Sequence, residues 1–232
     1  MEGIKALAFD TGGTVLDWHS GIARAFADAG TRHGVDRDWH EITNDYRRRS
    51  LQRMLGCVNP GFNIDDVHRE MLDAIITAHD LVMFSTEDRE RIARRWHELD
   101  AWSDFSPALV RLRKRYMAVS FTILSISLVV DVSRKNGLDW DCVISCEMLD
   151  VYKTQPASYQ RAARLLAVQP SALLMIACHN FDLVAAKQQG YRTAFVRRPT
   201  EWGPAGPPDP VPHPTTDLVA ADFSELASQL GA

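Results

Sequence analysis

Three apolar stretches of the chain are each followed by polar side chains of the types that support covalent catalysis. Asp10 and Thr14 follow the first stretch, Ser125 follows the second, and the third is followed by His179, Asn180 and Asp182. Lys153 stands just before a predicted helix that contains Tyr159. A carboxylate held beside a cation stays ionised and can act as a covalent nucleophile. The sequence therefore predicts a catalytic site around Asp10.

The elements that must position these residues alternate between strands and helices. Residues 4–9 form an apolar run that Asp10, Gly12 and Gly13 interrupt, which predicts a short buried strand followed by a tight loop. Further strands are predicted at 117–124, 142–145, 172–177, 193–196 and 218–219, with helices between them. This alternation is typical of a parallel sheet, which binds ligands at the carboxyl ends of its strands.

The long segment between the first two predicted strands has a different pattern. Residues 21–33, 39–55, 65–79 and 86–99 carry apolar residues at intervals of three and four, which predicts helices and no convincing strand. We therefore predict an α/β protein with a Rossmann-like parallel-sheet core at 1–16 and 100–232 and a helical cap at 17–99. The proline-rich stretch 199–214 is predicted to be a surface loop.

Composition excludes several classes of function. The net charge is -4, and the arginine clusters at 47–49 and 111–115 fall in helix-like segments, so no nucleic-acid partner is predicted. The longest uncharged apolar stretch, 118–130, is too short to span a membrane, and the run before Asp10 does not fit a secretory signal. The cysteines form no CxxC pair, so we expect reduced thiols in a cytoplasmic protein.

Taken in order, these motifs resemble those of the haloacid dehalogenase superfamily, and within it the type II 2-haloacid dehalogenases. The matching motifs are DxxGTVxD at 10–17, Leu124-Ser125, Tyr152-Lys153 with Tyr159, and Asn180-Phe181-Asp182. The resemblance implies the fold of that superfamily, a small carboxylic acid as substrate, no cofactor and a homodimer. Asp10 would displace the halide from carbon, and water would then hydrolyse the resulting ester at the Asp10 carboxyl carbon.

The resemblance also assigns roles to the other residues. Lys153 would keep Asp10 ionised, Thr14 would orient Asp10, and Asp182 would hold Lys153 and help to position the water. Substrate contacts would come from Thr11 in the first loop, Ser125, Ile126, Tyr159, His179 and Asn180, with Arg47 receiving the halide. His179 could equally be a structural histidine.

Most members of this superfamily are magnesium-dependent phosphatases, and this chain departs from their pattern. Phosphatases carry an aspartate two residues after the nucleophile, where this chain has Gly12, and another four residues before Asp182, where it has Cys178. The first of these is the general acid for phosphoester cleavage, and Mg²⁺ prefers carboxylate oxygens. The sequence therefore predicts no metal site.

Three other functions remain open at this stage. Ile126 replaces an asparagine expected near the leaving group, which would suit displacement of another leaving group, such as a strained ring amine. A magnesium-dependent phosphatase is a further alternative. The substitutions at Ile126, Ala177 and Cys178 would also suit a relic that binds small acids without catalysis.

Overall fold

The apolar run before Asp10 forms the central strand of a parallel sheet in the computed structural model, which describes residues 2–232. The strands are β1 Ala6–Phe9, β2 Leu16–Asp17, β3 Asp100–Ala101, β4 Met117–Thr122, β5 Cys142–Ser145, β6 Leu173–Ala177, β7 Arg192–Val196 and β8 Leu218–Ala220. Their order in the main sheet is β5-β4-β1-β6-β7-β8, and all neighbours in it are parallel. The predicted α/β fold is therefore confirmed.

The register of the central strands brings three loops to one edge of the sheet. Phe9 in β1 is aligned with Ser120 in β4 and with Ile176 in β6. All residues of β1 and β6 are buried, as expected for a parallel sheet that is covered on both faces. The loops after β1, β4 and β6 therefore leave the sheet side by side.

Helices connect the strands with bounds close to those that periodicity predicts. They are α1 Trp18–His33, α2 Trp39–Met54, α3 Ile64–Ala78, α4 Thr86–Arg94, α5 Phe105–Leu112, α6 Ile126–Asn136, α7 Cys146–Leu149, α8 Pro156–Leu165, α9 Asn180–Gln188 and α10 Phe223–Gln229. A 3-10 turn, Arg95–Glu98, follows α4. Within residues 2–232, no helix combines the length and the apolar character that a membrane crossing would need.

Residues 18–98, here called the helical segment, contain α1 to α4 and the 3-10 turn. The chain leaves the sheet through β2 and returns through β3, and these two strands pair antiparallel, with Leu16 opposite Ala101. The sequence did not predict this pair, because a two-residue strand shows no periodicity. The helical content agrees with the predicted pattern, and the division into a core and a cap domain stays a prediction.

The stretch at 199–214 is not simply a surface loop, which corrects the prediction from its prolines. Glu201 is 1% exposed and Trp202 is 7% exposed. The Trp202 ring packs edge-on against Trp18 in α1, with ring centroids 5.1 Å apart. Asn44 in α2 donates a hydrogen bond from Nδ2 to the Trp202 carbonyl oxygen over 3.2 Å. The loop therefore packs against the helical segment.

Candidate active site

Asp10 lies directly after β1 and is the centre of a buried hydrogen-bond network. Its Oδ1 accepts a hydrogen bond from Lys153 Nζ at 3.1 Å, and its Oδ2 accepts one from Thr14 Oγ1 at 2.8 Å. His179 Nδ1 lies 3.0 Å from the same Oδ2. Burial alone would raise the pKa of Asp10, but the charge of Lys153 and the hydrogen bonds from His179 and Thr14 hold this pKa well below its usual range. Asp10 is therefore ionised at neutral pH.

Lys153 joins Asp10 to a second carboxylate. Its Nζ lies 2.6 Å from Asp182 Oδ2, and Tyr159 donates a hydrogen bond to Asp182 Oδ1 at 2.8 Å. Burial would lower the pKa of Lys153, but Asp10 and Asp182 raise it above its usual value. Burial and the charge of Asp10 raise the pKa of Asp182. Lys153 is therefore a charged group shared between two carboxylates.

His179 connects Asp10 to a carboxylate that the sequence did not identify. Its Nε2 lies 2.9 Å from Glu201 Oε1, and Trp18 donates to the same oxygen from Nε1 at 3.0 Å. Burial alone would lower the pKa of His179, but the Cys178 sulfur, Glu201 and the hydrogen bond to Asp10 raise it well above its usual value. No local pattern distinguishes Glu201 within its proline-rich loop, so only the fold reveals it.

Two glycines of the first loop leave space for charged side chains. Gly13 has φ +91°, and a Cβ there would lie 2.1 Å from Glu201 Oε1. A Cβ on Gly12 would lie 3.4 Å from Arg47 Nη2 and 3.6 Å from a Leu124 methyl carbon. A Cβ at position 12 would therefore make ordinary van der Waals contacts, and an aspartate side chain there would lie beside the Arg47 guanidinium.

Arg47 is a buried cation whose hydrogen-bonding capacity is largely unused. It is 2% exposed, and its Nε and Nη1 find no hydrogen-bond partner within residues 2–232. The guanidinium carbon lies 5.5 Å from the centre of the Trp18 ring and 5.6 Å from that of Trp96. Burial lowers the pKa of Arg47, which Glu201 and Asp10 oppose. A buried guanidinium with free donors is a receptor for an anion.

The neighbouring arginines of α2 point elsewhere, as helical geometry predicts. Arg48 binds Glu41 at 2.6 Å, and Arg49 binds Asp45 at 2.9 Å. Only the first arginine of the cluster therefore faces Asp10.

A small cavity separates Asp10 from Arg47. Its lining residues are Asp10, Gly12, Arg47, Leu51, Leu55, Ile123, Lys153, His179 and Phe181. Its volume of about 10 Å³ is room for a single water molecule. The cavity is lined by both charged and apolar side chains, which suits a short organic anion once the walls move apart.

Ser125 and Ile126 do not line this cavity, and their roles in substrate binding stay predictions. Ser125 donates its hydroxyl to Asp65 Oδ2 at 2.6 Å and caps α6 by accepting from the Leu128 amide. Its hydroxyl is therefore engaged by a carboxylate of the helical segment. Ile126 is 39% exposed and does not line the cavity.

Thr11 and Asn180 also direct their side chains away from the cavity. Thr11 Oγ1 lies 2.7 Å from Ser120 Oγ in β4, which satisfies two buried hydroxyls inside the sheet. Asn180 donates to the Val211 carbonyl and accepts from the His213 amide, each at 2.8 Å. Asn180 is thus an anchor for the loop that carries Glu201.

The structure therefore brings together only part of the predicted site. Asp10, Thr14, Lys153, Asp182 and Tyr159 form one connected network, and His179 and Arg47 face the cavity beside it. The network combines an ionised carboxylate with a buried cation. It also contains His179, which Glu201 orients. Arg47 lines the cavity and has free donors for an anion. These are the parts needed for a displacement at carbon followed by hydrolysis.

The chain is similar in sequence to known proteins. A family model described as haloacid dehalogenase-like hydrolase matches residues 4–190. (S)-2-haloacid dehalogenase 1 from Pseudomonas sp. (strain CBS-3) is 26% identical over 207 residues, which cover 85% of this chain and 86% of that protein. (S)-2-haloacid dehalogenase from Xanthobacter autotrophicus is 28% identical over 202 residues, which cover 84% and 76% respectively.

Solved structures are similar over nearly the whole chain. A defluorinating L-2-haloacid dehalogenase has a TM-score of 0.89 and 34% identity, covering 99% of this chain and 96% of that one. A second L-2-haloacid dehalogenase has a TM-score of 0.89 and 31% identity, covering 98% and 100%. The similarity includes both the sheet and the helical segment.

Proposed function

Since the chain belongs to the haloacid dehalogenase-like hydrolases, we propose that it hydrolyses short (S)-2-haloalkanoic acids to 2-hydroxy acids through an ester on Asp10. The observation that carries this proposal is the pairing of an ionised, buried Asp10 with an unpartnered Arg47 across one small cavity. The relatives named as (S)- and L-2-haloacid dehalogenases support the substrate class.

In the first step, an oxygen of Asp10 attacks the carbon that bears the halogen. The carbon–halogen bond breaks as the carbon–oxygen bond forms, and the halide leaves toward Arg47. We assign the substrate carboxylate to the backbone amides of the loop after Asp10, because the Ser125 hydroxyl is engaged by Asp65. Lys153 and Thr14 hold the nucleophile in place, which lowers the entropic part of the barrier.

In the second step, water attacks the carboxyl carbon of the Asp10 ester, and the bond from this carbon to the oxygen joined to the substrate breaks. The 2-hydroxy acid leaves with a proton returned by His179, and the Asp10 carboxylate is restored. Esterification removes the negative charge of Asp10, so His179 loses one of the charges that favour its protonated form. Neutral His179, oriented by Glu201, can then accept a proton from the attacking water. Both oxygens of Asp182 are occupied by Lys153 and Tyr159, so we assign it to positioning Lys153 rather than to the water.

Two of the alternative reactions lose their support. Position 12 is a glycine, so it offers no carboxyl group that could act as the acid of a phosphatase. The side chains beside it are Arg47 and Leu124. Ile126 does not line the cavity, so it gives no reason to expect a leaving group other than halide. Neither alternative has an observation in its favour.

The decisive experiment measures halide release from chloroacetate and from both enantiomers of 2-chloropropionate. We expect release from chloroacetate and the (S)-acid that chelator treatment does not lower, and no release by Asp10→Asn. A His179→Asn variant should accumulate the ester, seen as added mass on the peptide that contains Asp10. A folded enzyme that leaves Asp10 unmodified by every such acid would instead favour a non-catalytic relic.

A further inference from the structure

A buried group of metal-ligating side chains lies behind the cavity and has no assigned role as a group. Cys178, His179 and Glu201 each offer one donor atom, and these atoms lie within 4.8 Å of one another. All three residues are buried, with exposures of 3%, 7% and 1% respectively. They belong to two separate parts of the chain, the end of β6 and the loop at 199–214, so the fold and not the local sequence assembles them.

The distances between the donor atoms match those of a tetrahedral site. Cys178 Sγ lies 3.4 Å from His179 Nε2 and 3.4 Å from Glu201 Oε2, and His179 Nε2 lies 2.9 Å from Glu201 Oε1. Zinc bound to sulfur, nitrogen and oxygen at its usual bond lengths requires donor separations of about 3.3–3.6 Å. The two separations that involve the Cys178 sulfur fit this range, and the Glu201 carboxylate also lies beside His179 Nε2.

Supporting contacts for such a site are already present. Histidines that bind metals usually donate their other ring N–H to a carboxylate, and His179 Nδ1 lies 3.0 Å from Asp10 Oδ2. Trp18 Nε1 donates to Glu201 Oε1 at 3.0 Å, which leaves Oε2 beside the Cys178 sulfur. Both hydrogen bonds could persist with a metal bound through the remaining donor atoms.

Charge balance also permits a divalent ion here. The ionised groups around the cavity are three anions and three cations: Asp10, Asp182, Glu201, Lys153, His179 and Arg47. A divalent cation that displaces one proton from the Cys178 thiol and one from His179 Nε2 leaves this balance unchanged. A thiolate ligand favours zinc over the hard cation magnesium.

We propose that Cys178, His179 and Glu201 form a binding site for zinc and similar thiophilic divalent cations, and that occupation of this site inhibits the enzyme. The ion would take the Nε2 position of His179 and the carboxylate of Glu201, which separates the pair that activates water. Binding itself is independent of the proposed function, whereas the inhibition rests on it. The metal is therefore an inhibitor and not a cofactor of the reaction.

The test is a titration of chelator-treated enzyme with Zn²⁺ and with Co²⁺. We expect one Zn²⁺ per chain by calorimetry, loss of halide release on binding, and recovery with chelator. Co²⁺ should give the near-ultraviolet absorption of a thiolate-to-metal charge transfer. This absorption and the calorimetry report binding without reference to catalysis, so failure of the dehalogenase proposal would not hide the site.

Matched cysteine variants decide whether the site is the one described. Cys178→Ser should make whatever halide release it retains insensitive to Zn²⁺, lose the charge-transfer absorption, and weaken Zn²⁺ binding by more than the roughly 10–100-fold caused by losing an outer partner. Cys142→Ser, at a half-buried thiol in the edge strand β5, should behave like the parent enzyme. Cys178→Ala serves the same purpose if the serine variant is unstable. Absence of tight binding by the parent enzyme, or an unchanged absorption in both Cys178 variants, would overturn the proposal.

Discussion

Arg47 is the residue whose environment is hardest to explain without a ligand. A buried charge normally has a partner, because removing an ion from water costs several kcal/mol. The Trp18 and Trp96 rings offset part of this cost, at 5.5 and 5.6 Å from the guanidinium carbon. An anion that enters the cavity would offset the rest of this desolvation cost, which is how an enzyme can stabilise a departing halide.

Replacing this guanidinium should therefore remove catalysis without removing the fold. Arg47→Met keeps an unbranched side chain between the two indole rings, and we expect kcat/KM for chloroacetate to fall by roughly 10²–10³-fold. Arg48→Met is the matched control, because Arg48 lies one position along α2 and is bonded to Glu41 on the surface. Comparable kcat/KM for Arg47→Met and the parent enzyme would rule out the halide receptor.

Gly12 stands where phosphatases of this superfamily carry an aspartate, and a side chain at this position would contact Arg47. Gly12→Asp should place a carboxylate against Arg47 Nη2, which lies 3.4 Å from the position of a Cβ. We expect loss of halide release and no gain of Mg²⁺-dependent hydrolysis of a generic phosphate ester. Gly12→Ala is the control for volume and should retain more activity. Phosphate release by Gly12→Asp would show that position 12 can act as it does in the phosphatases.

At the scale of elements, Asn180 connects the start of α9 to the loop at 199–214. Asn180→Ala removes the hydrogen bonds to Val211 and His213, so we expect a loss of about 1 kcal/mol of stability per bond. Because the loop also carries Glu201, kcat should fall while KM stays nearly constant. Denaturant unfolding and steady-state kinetics would measure both effects.

Gln160→Ala is the control for that variant, since Gln160 makes an exposed hydrogen bond to Gln189 at the opposite end of α9 from Asn180. Asn180→Asp should recover part of the stability, because its carboxylate can still accept from the His213 amide. A rise in KM for Asn180→Ala with unchanged kcat would instead support the substrate contact that the sequence predicted for Asn180.

The elements themselves were largely predictable, because apolar periodicity and glycine positions are local properties of the chain. Asp10, Thr14 and Lys153 were recognised for the same reason, since each follows or precedes a predicted element. Glu201 was missed because its contact with His179 joins residues 22 positions apart through a loop with no regular pattern. The contact of Ser125 with Asp65 was not predicted, because Asp65 comes from the helical segment, which sequence patterns cannot place against the sheet.

His97 contacts two carboxylates, Asp65 in α3 and Asp131 in α6, and the second contact links the helical segment to α6. Its Nδ1 lies 2.8 Å from Asp131 Oδ2, and its Nε2 lies 3.3 Å from Asp65 Oδ1. The hydrogen bond to Asp65 raises the pKa of His97, burial opposes this, and Asp131 adds to the rise. A raised folded-state pKa means that the stabilisation is complete below the unfolded value of about 6.5 and is lost as the pH rises through the folded-state value.

His97→Gln should therefore lower Tm more at about pH 6 than at about pH 9. Because Asp131 is half-exposed, we expect a contribution of about 1 kcal/mol at most, which is ~2–4 °C in Tm. His213→Gln is the control, because the His213 ring bonds only to Thr215 in the same exposed loop within the described chain. Equal losses of Tm at both pH values would contradict a charged His97.

At the scale of the whole molecule, the site is built from parts of the chain that must move apart to admit substrate. The cavity has room for about one water molecule, which is less than the volume of any haloacid. Hydrogen bonds from Asn63 to Glu147 and from Ser125 to Asp65 connect the helical segment to the loops of the sheet. Substrate binding therefore requires an opening motion that breaks some of these contacts, followed by closure around the ester.

Hydrogen exchange should detect this cycle. In the free enzyme, amides of α2 and of residues 199–206 should exchange faster than those of β1, because opening separates Arg47 from the loop that carries Glu201 and Trp202. With the ester accumulated in His179→Asn and chloroacetate, exchange in both segments should slow together, since the bound group fills the cavity between them. Helices α5 and α10, which pack against each other away from the cavity, provide the internal control and should not change. Slowing in only one of the two segments would mean that the helical segment and the loop do not close as a unit.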